Sequence, residues 1–102
     1  MNERKRIEIA EMKLEKWHAQ VGICPSCGEP VSVDGGELAH RIPQRKWCLA
    51  RYGARIIHHR DNLVLTHPGT CNDAVSISNH PMEMEHLAQS INDRMLRLEV
   101  NE

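Results

Sequence analysis

The stretch CPSCGEPVSVDGGELAHRI, Cys24 to Ile42, decides most of the reading. Cys24-x-x-Cys27 places two thiolates on one tight turn, with Pro25 inside it and Gly28 directly after it, at a spacing tetrahedral zinc accepts. His40 follows Cys27 by 13 residues and closes a short β-prone run. A second ligand pair should come from another turn. His67-Pro-Gly-Thr-Cys71 offers an imidazole and a thiolate around a Pro-Gly turn, so Cys24, Cys27, His67 and Cys71 are expected to hold a structural Zn2+. Cys48 is the rival for the fourth place. It sits in Lys46-Trp47-Cys48-Leu49-Ala50, without turn residues, which suits a packed thiol better.

A chain of 102 residues with two Trp, one Tyr and no Phe has a modest core, and a metal cross-link would supply what packing cannot. No apolar run is long enough to span a bilayer, and the opening MNERKRIEIAEMKLEKW is charged and amphipathic. A single cytoplasmic domain over residues 1–102 is the expectation. There, four cysteines read as metal ligands and thiols and not as disulfides. The net charge of −1 hides an uneven distribution. Residues 38–60 contain Arg41, Arg45, Lys46, Arg51, Arg55 and Arg60 and no acid, the footprint of a phosphate-binding face. DNA is the partner this predicts; a solvated loop is the plainer reading.

The pattern predicts an α+β chain. Ile7, Ala10, Leu14 and Trp17 form an apolar stripe on a helix over residues 6–20, expected to pack against the body. Val31 to Val33, the turn Asp34-Gly35-Gly36 and Glu37 to Ile42 read as a hairpin. Residues 44–52 read as a short helix or an ordered loop broken by Gly53, residues 55–59 as extended, and Cys71 to Ile77 as the start of a helix. A last helix runs from Pro81 to about Val100. Its seam of Met84, Ala88, Ile91, Met95 and Leu98 serves either packing on the first helix's stripe or a homodimer.

The order of the double knuckle, ELAHRIP, HHRDNLVLT and the closing Cys71-Asn72 resembles the HNH endonucleases, the ββα-metal fold, and is most similar to zinc-stapled members of the endonuclease VII kind, many of them phage-encoded. The resemblance covers about residues 23–77. It implies a nuclease hydrolysing DNA phosphodiester bonds to a 5′-phosphate and a 3′-hydroxyl, with His40 as general base on water. It implies a catalytic Mg2+ or Mn2+ held through Asn72, and Asn62 as the residue that braces the loop behind His40.

One position departs from the family. The residue before the base, commonly an acidic metal ligand, is Ala39, and a methyl group holds no metal. Glu37 or one of His58 and His59 would have to replace it, with His59 carried as a catalytic candidate; alternatively His40 itself is a ligand. The competing function is a non-catalytic zinc module that binds DNA or a protein.

Overall fold

The computed structural model describes residues 2–100. Its first helix, α1 (Glu3–Ala19), starts at Asn2, whose side chain accepts the Lys5 N–H at 2.8 Å. That bond satisfies one of the donors a helix start leaves open, and Glu3 and Lys16 complement the helix dipole at its two ends. Strand β1 (Glu37–His40) and the short helices α2 (Lys46–Tyr52) and α3 (Ala54–Ile57) follow. A 3-10 turn (Arg60–Asn62) leads into β2 (Leu63–Thr66), then α4 (Thr70–Ala74) and α5 (Pro81–Val100). The fold is mixed α+β, and β1 and β2 make a two-stranded antiparallel sheet. No helix among the described residues is long and apolar enough to cross a membrane.

The chain divides into two compact units. One comprises residues 2–39 and 64–75, the other residues 40–63 and 76–100.

In the first unit, Cys24, Val31 and Leu65 are buried, with Trp17, Leu38 and Cys71 packed against them. The Trp17 indole donates to the Val31 carbonyl at 2.8 Å. Gln20 acts as a surrogate strand: its Nε2 donates to the Leu65 carbonyl and its Oε1 accepts the Leu65 N–H, both at 2.8 Å. A sheet of two four-residue strands is marginal alone, so such clamps matter. Gly22 lies against the Trp17 ring, where a Cβ would come within 3.1 Å of it.

Two expectations change in this unit. Val31 to Val33 is not a strand, because the Val31 N–H goes to the Gly22 carbonyl and its carbonyl to Trp17. The turn survives, with the Gly36 N–H bonded to the Ser32 carbonyl at 2.9 Å, but β1 pairs with β2 instead. The stripe on α1 is also rotated. Ile7 and Leu14 are 52% and 47% exposed, whereas Ile9, Met12, Lys13, Lys16 and Trp17 are partly covered. Lysine stems cover apolar surface while their ammonium groups stay wet, so the covered face includes them.

In the second unit, Ile42, Cys48, Ile57, Ile77, Met84 and Ala88 form the core, lined by Leu49, Tyr52, Ile56 and Leu87. Full burial of Ile42 and Ile57 contributes roughly 2–3 kcal/mol each. Met84 and Ala88 of the α5 seam belong to this cluster. Met84, Ala88 and Ile91 are buried, while Leu98 is 56% exposed. Residues 54–57 are helical where an extended segment is expected. Gly53, at φ 84° and ψ 155°, ends α2 and lets a new helical turn start at once. Ion pairs tie α5 down: Arg94 to both oxygens of Asp61 at 2.7 and 2.9 Å, and Arg51 to Glu85, which also accepts from the Tyr52 hydroxyl.

Candidate metal centre and histidine pair

The first unit brings Cys24, Cys27, His67 and Cys71 together. Their ligand atoms all lie within 4.8 Å of one another. With Zn–S bonds of about 2.3 Å, the sulfurs of a tetrahedral site sit about 3.8 Å apart, so a zinc ion fits this set with little movement. Local backbone explains the convergence. The Gly28 N–H closes the knuckle on the Cys24 carbonyl, and the Cys24 N–H bonds the Glu29 carbonyl, both at 2.9 Å. His67 Nε2 lies 2.8 Å from the Pro30 carbonyl, and His67 Nδ1 lies 3.4 Å from Cys27 Sγ. Donation to Pro30 fixes the proton on Nε2 and leaves the Nδ1 lone pair for metal, the outer support ligating histidines commonly have.

Electrostatics agree with a cation-seeking set. Burial alone would push the Cys24 thiol up, but the N–H groups of Cys27, His67 and Ser26 outweigh it and hold Cys24 at about 6. The Cys71 thiol is pushed up, first by burial and then by its sulfur neighbours, Cys24 among them. One thiolate forms readily and resists the next; a divalent ion removes that conflict. Cys48 is fully buried in the second unit's apolar core, where burial raises its thiol.

The second unit holds the other candidate group. His40 Nε2 lies 3.3 Å from His58 Nδ1, with the rings nearly perpendicular at 81°. The other nitrogen of His40, Nδ1, lies 3.3 Å from Gln44 Nε2. Burial first, then the neighbouring His58, keep the His40 imidazole below its ordinary value, so it is neutral at pH 7. With the Gln44 amide donating to Nδ1, the proton of neutral His40 sits on Nε2 and is donated to His58. The basic nitrogen is then Nδ1, and the Gln44 N–H stands where the O–H of a water would stand.

Asn62 supports this arrangement from below. It is fully buried, and its side chain accepts the Ile42 N–H at 2.8 Å. Its Nδ2 donates to the carbonyls of Ile42 and Ile57 at 3.0 and 2.8 Å, and its own carbonyl accepts the Arg41 N–H. The backbone directly after His40 is therefore fixed by one amide.

The remaining expected site residues fall differently. His58, not His59, meets His40. His59 instead turns its Nδ1 to the Asp61 N–H at 3.0 Å and caps the 3-10 turn. His58 caps the end of α3, whereas His59 next to it is extended, at φ −68° and ψ 145°, so the two side chains part. Ala39 is 1% exposed, so an acid placed there would be buried, while Glu37 is exposed. Asn72 is half-buried on α4 in the first unit. Of the basic residues, Arg41 faces Glu83 at 3.9 Å and Arg51 pairs with Glu85, which offsets part of the positive stretch. Arg45 and Lys46 are exposed at the start of α2; Arg55 and Arg60 are exposed further on. Gln44 had no signal in the sequence beyond lying four residues after His40.

Compared with known proteins, the chain matches no family model, no curated protein and no solved structure.

Proposed function

We propose that this chain is a zinc-stapled DNA endonuclease of the HNH kind, acting in the cytoplasm, with His40 as its general base. The observation that supports this best is the chain Gln44–His40–His58. It leaves a neutral imidazole whose Nε2–H is held by one partner and whose Nδ1 faces a displaceable amide. In the proposed reaction a water takes the place of the Gln44 N–H. His40 Nδ1 accepts its proton as the water oxygen attacks phosphorus, and His58 Nδ1 stabilises the imidazolium through the Nε2–H bond. Asn62 holds the segment after His40 still, as a positioning residue. The exposed cations Arg45 and Lys46 bind flanking phosphates.

Among the described residues only the cysteine-histidine set gathers three or more His, Cys, Asp or Glu side chains. A hard cation such as Mg2+ would draw on water and on the phosphate oxygens of the DNA, in keeping with its preference for oxygen, and Asn72 is the side chain that the family resemblance assigns to it. When bound, it would neutralise the scissile phosphate and the departing 3′ oxygen.

Ala39 favours a second reading, a zinc module that binds without cleaving, since the position of the common acidic ligand is a buried methyl. Incubating zinc-loaded protein with supercoiled plasmid separates the two. Nicked or linear product with Mg2+ or Mn2+ and none with EDTA supports the nuclease. Binding without product under every divalent ion favours the module.

A further inference from the structure

We propose that His40 and His58 form a second metal site, a two-imidazole chelate for a borderline divalent ion such as Ni2+, Co2+ or Zn2+. The separation of the facing nitrogens carries the proposal. His40 Nε2 and His58 Nδ1 are 3.3 Å apart. In a tetrahedral site with Zn–N bonds of about 2.0–2.1 Å, two ligand nitrogens stand about 3.3–3.4 Å apart. The pair is thus spaced as two ligands of one ion need; the two rings, now aimed at each other along a hydrogen bond, have only to turn so that both lone pairs point at an ion beside that line.

The ligand type chooses the metal. Imidazole suits Zn2+, Ni2+ and Co2+, whereas Mg2+ prefers oxygen and keeps its waters. His58 is exposed and His40 half-buried, so an ion would hold two protein nitrogens and keep its outer positions for water or a phosphate oxygen. Asn62 fixes the backbone after His40, and His58 ends α3, so both ligands sit on ordered segments. Gln44 provides the outer support. Rotating its amide by half a turn puts Oε1 where Nε2 now stands, ready to accept from His40 Nδ1–H.

The proton count balances. In the metal-free pair the His40 proton lies on Nε2, between the rings. The ion sits beside the line joining the two nitrogens, about 2.0–2.1 Å from each, and the His40 proton moves to Nδ1 without being released. This site is distinct from the Cys24, Cys27, His67 and Cys71 set and uses none of its atoms. If the nuclease reading holds, on which this last consequence alone rests, such an ion also removes the base, because Nδ1 then carries a proton.

The test is calorimetric titration of Ni2+ into zinc-loaded protein, with zinc content and circular dichroism recorded before and after. Wild-type protein should bind one Ni2+ with its zinc retained. Outer-sphere substitutions alone typically cost 10–100-fold in metal affinity, so losing a ligand in His58→Ala should weaken binding by roughly tenfold or more. His40→Gln should do the same while keeping zinc and fold. No Ni2+ bound by wild type, or equal binding by all three proteins, overturns the proposal. The readout needs no cleavage, so it stands or falls apart from the nuclease assay.

Discussion

Asn62 holds Ile42 by both of its backbone groups, accepting its N–H at 2.8 Å and donating to its carbonyl at 3.0 Å, with no water-accessible surface of its own. A third bond reaches the Ile57 carbonyl. One side chain thereby substitutes for a strand across the segment that follows His40.

Asn62→Ala should leave three buried backbone groups without partners. At roughly 1–3 kcal/mol for each unsatisfied group, a loss of about 3 kcal/mol or more is expected. Asn62→Asp should be no better, because it faces two carbonyl oxygens with a carboxylate oxygen. Urea unfolding measures both; an Asp variant as stable as wild type would contradict this network.

Zinc analysis should find about one tightly held ion per chain. Cys71→Ser or His67→Ala should lose it and unfold the first unit, since structural zinc contributes on the order of 10 kcal/mol. Cys48→Ser should keep zinc, yet lose about 1–3 kcal/mol by placing a hydroxyl in an apolar core, and Cys48→Ala should cost less than removing a clip ligand. Zinc lost from Cys48→Ser but kept by His67→Ala would reverse the ligand assignment.

Val21 adopts φ 55° just past α1 and is 81% exposed. A β-branched residue in the left-handed region is strained, and here almost no packing offsets it. Val21→Asn or Val21→Gly should stabilise the protein by about 1 kcal/mol, read as a rise in melting temperature. A fall would show that Val21 makes a contact its exposure does not suggest.

What the sequence made legible follows from how each feature is encoded. The Cys/His cluster, which could hold a metal ion such as zinc, was legible because each half carries its own turn, with Cys24-x-x-Cys27 and His67-Pro-Gly-Thr-Cys71 needing only to meet. The α+β class and α5 were equally local. The hairpin misled because Asp34-Gly35-Gly36 does turn, but tertiary bonds from Gly22 and Trp17 occupy the arm before it. Residues 55–57 read as extended because Ile56 and Ile57 are β-branched, and the helix there depends on burial of Ile57 in the core. The His40–His58 contact spans 18 residues with no periodic signal, so only the fold reveals it.

DNA affinity should fall with salt. Arg45→Ala and Lys46→Ala should each reduce the steepness of that dependence by about one unit, alike for unrelated sequences. Arg51→Ala should change it less, since Glu85 already neutralises Arg51. Filter binding over a salt series checks this; affinity indifferent to salt would remove the phosphate-binding reading.

The most direct test of the account compares plasmid cleavage by zinc-loaded wild type and His40→Ala in Mg2+, with zinc content and DNA affinity measured on the same samples. A general base contributes about 10²–10⁴-fold, so the variant should lose at least about two orders of magnitude in rate while retaining zinc and DNA binding. Cleavage that proceeds unchanged in His40→Ala would contradict the account, because it would remove the residue on which the proposed mechanism rests.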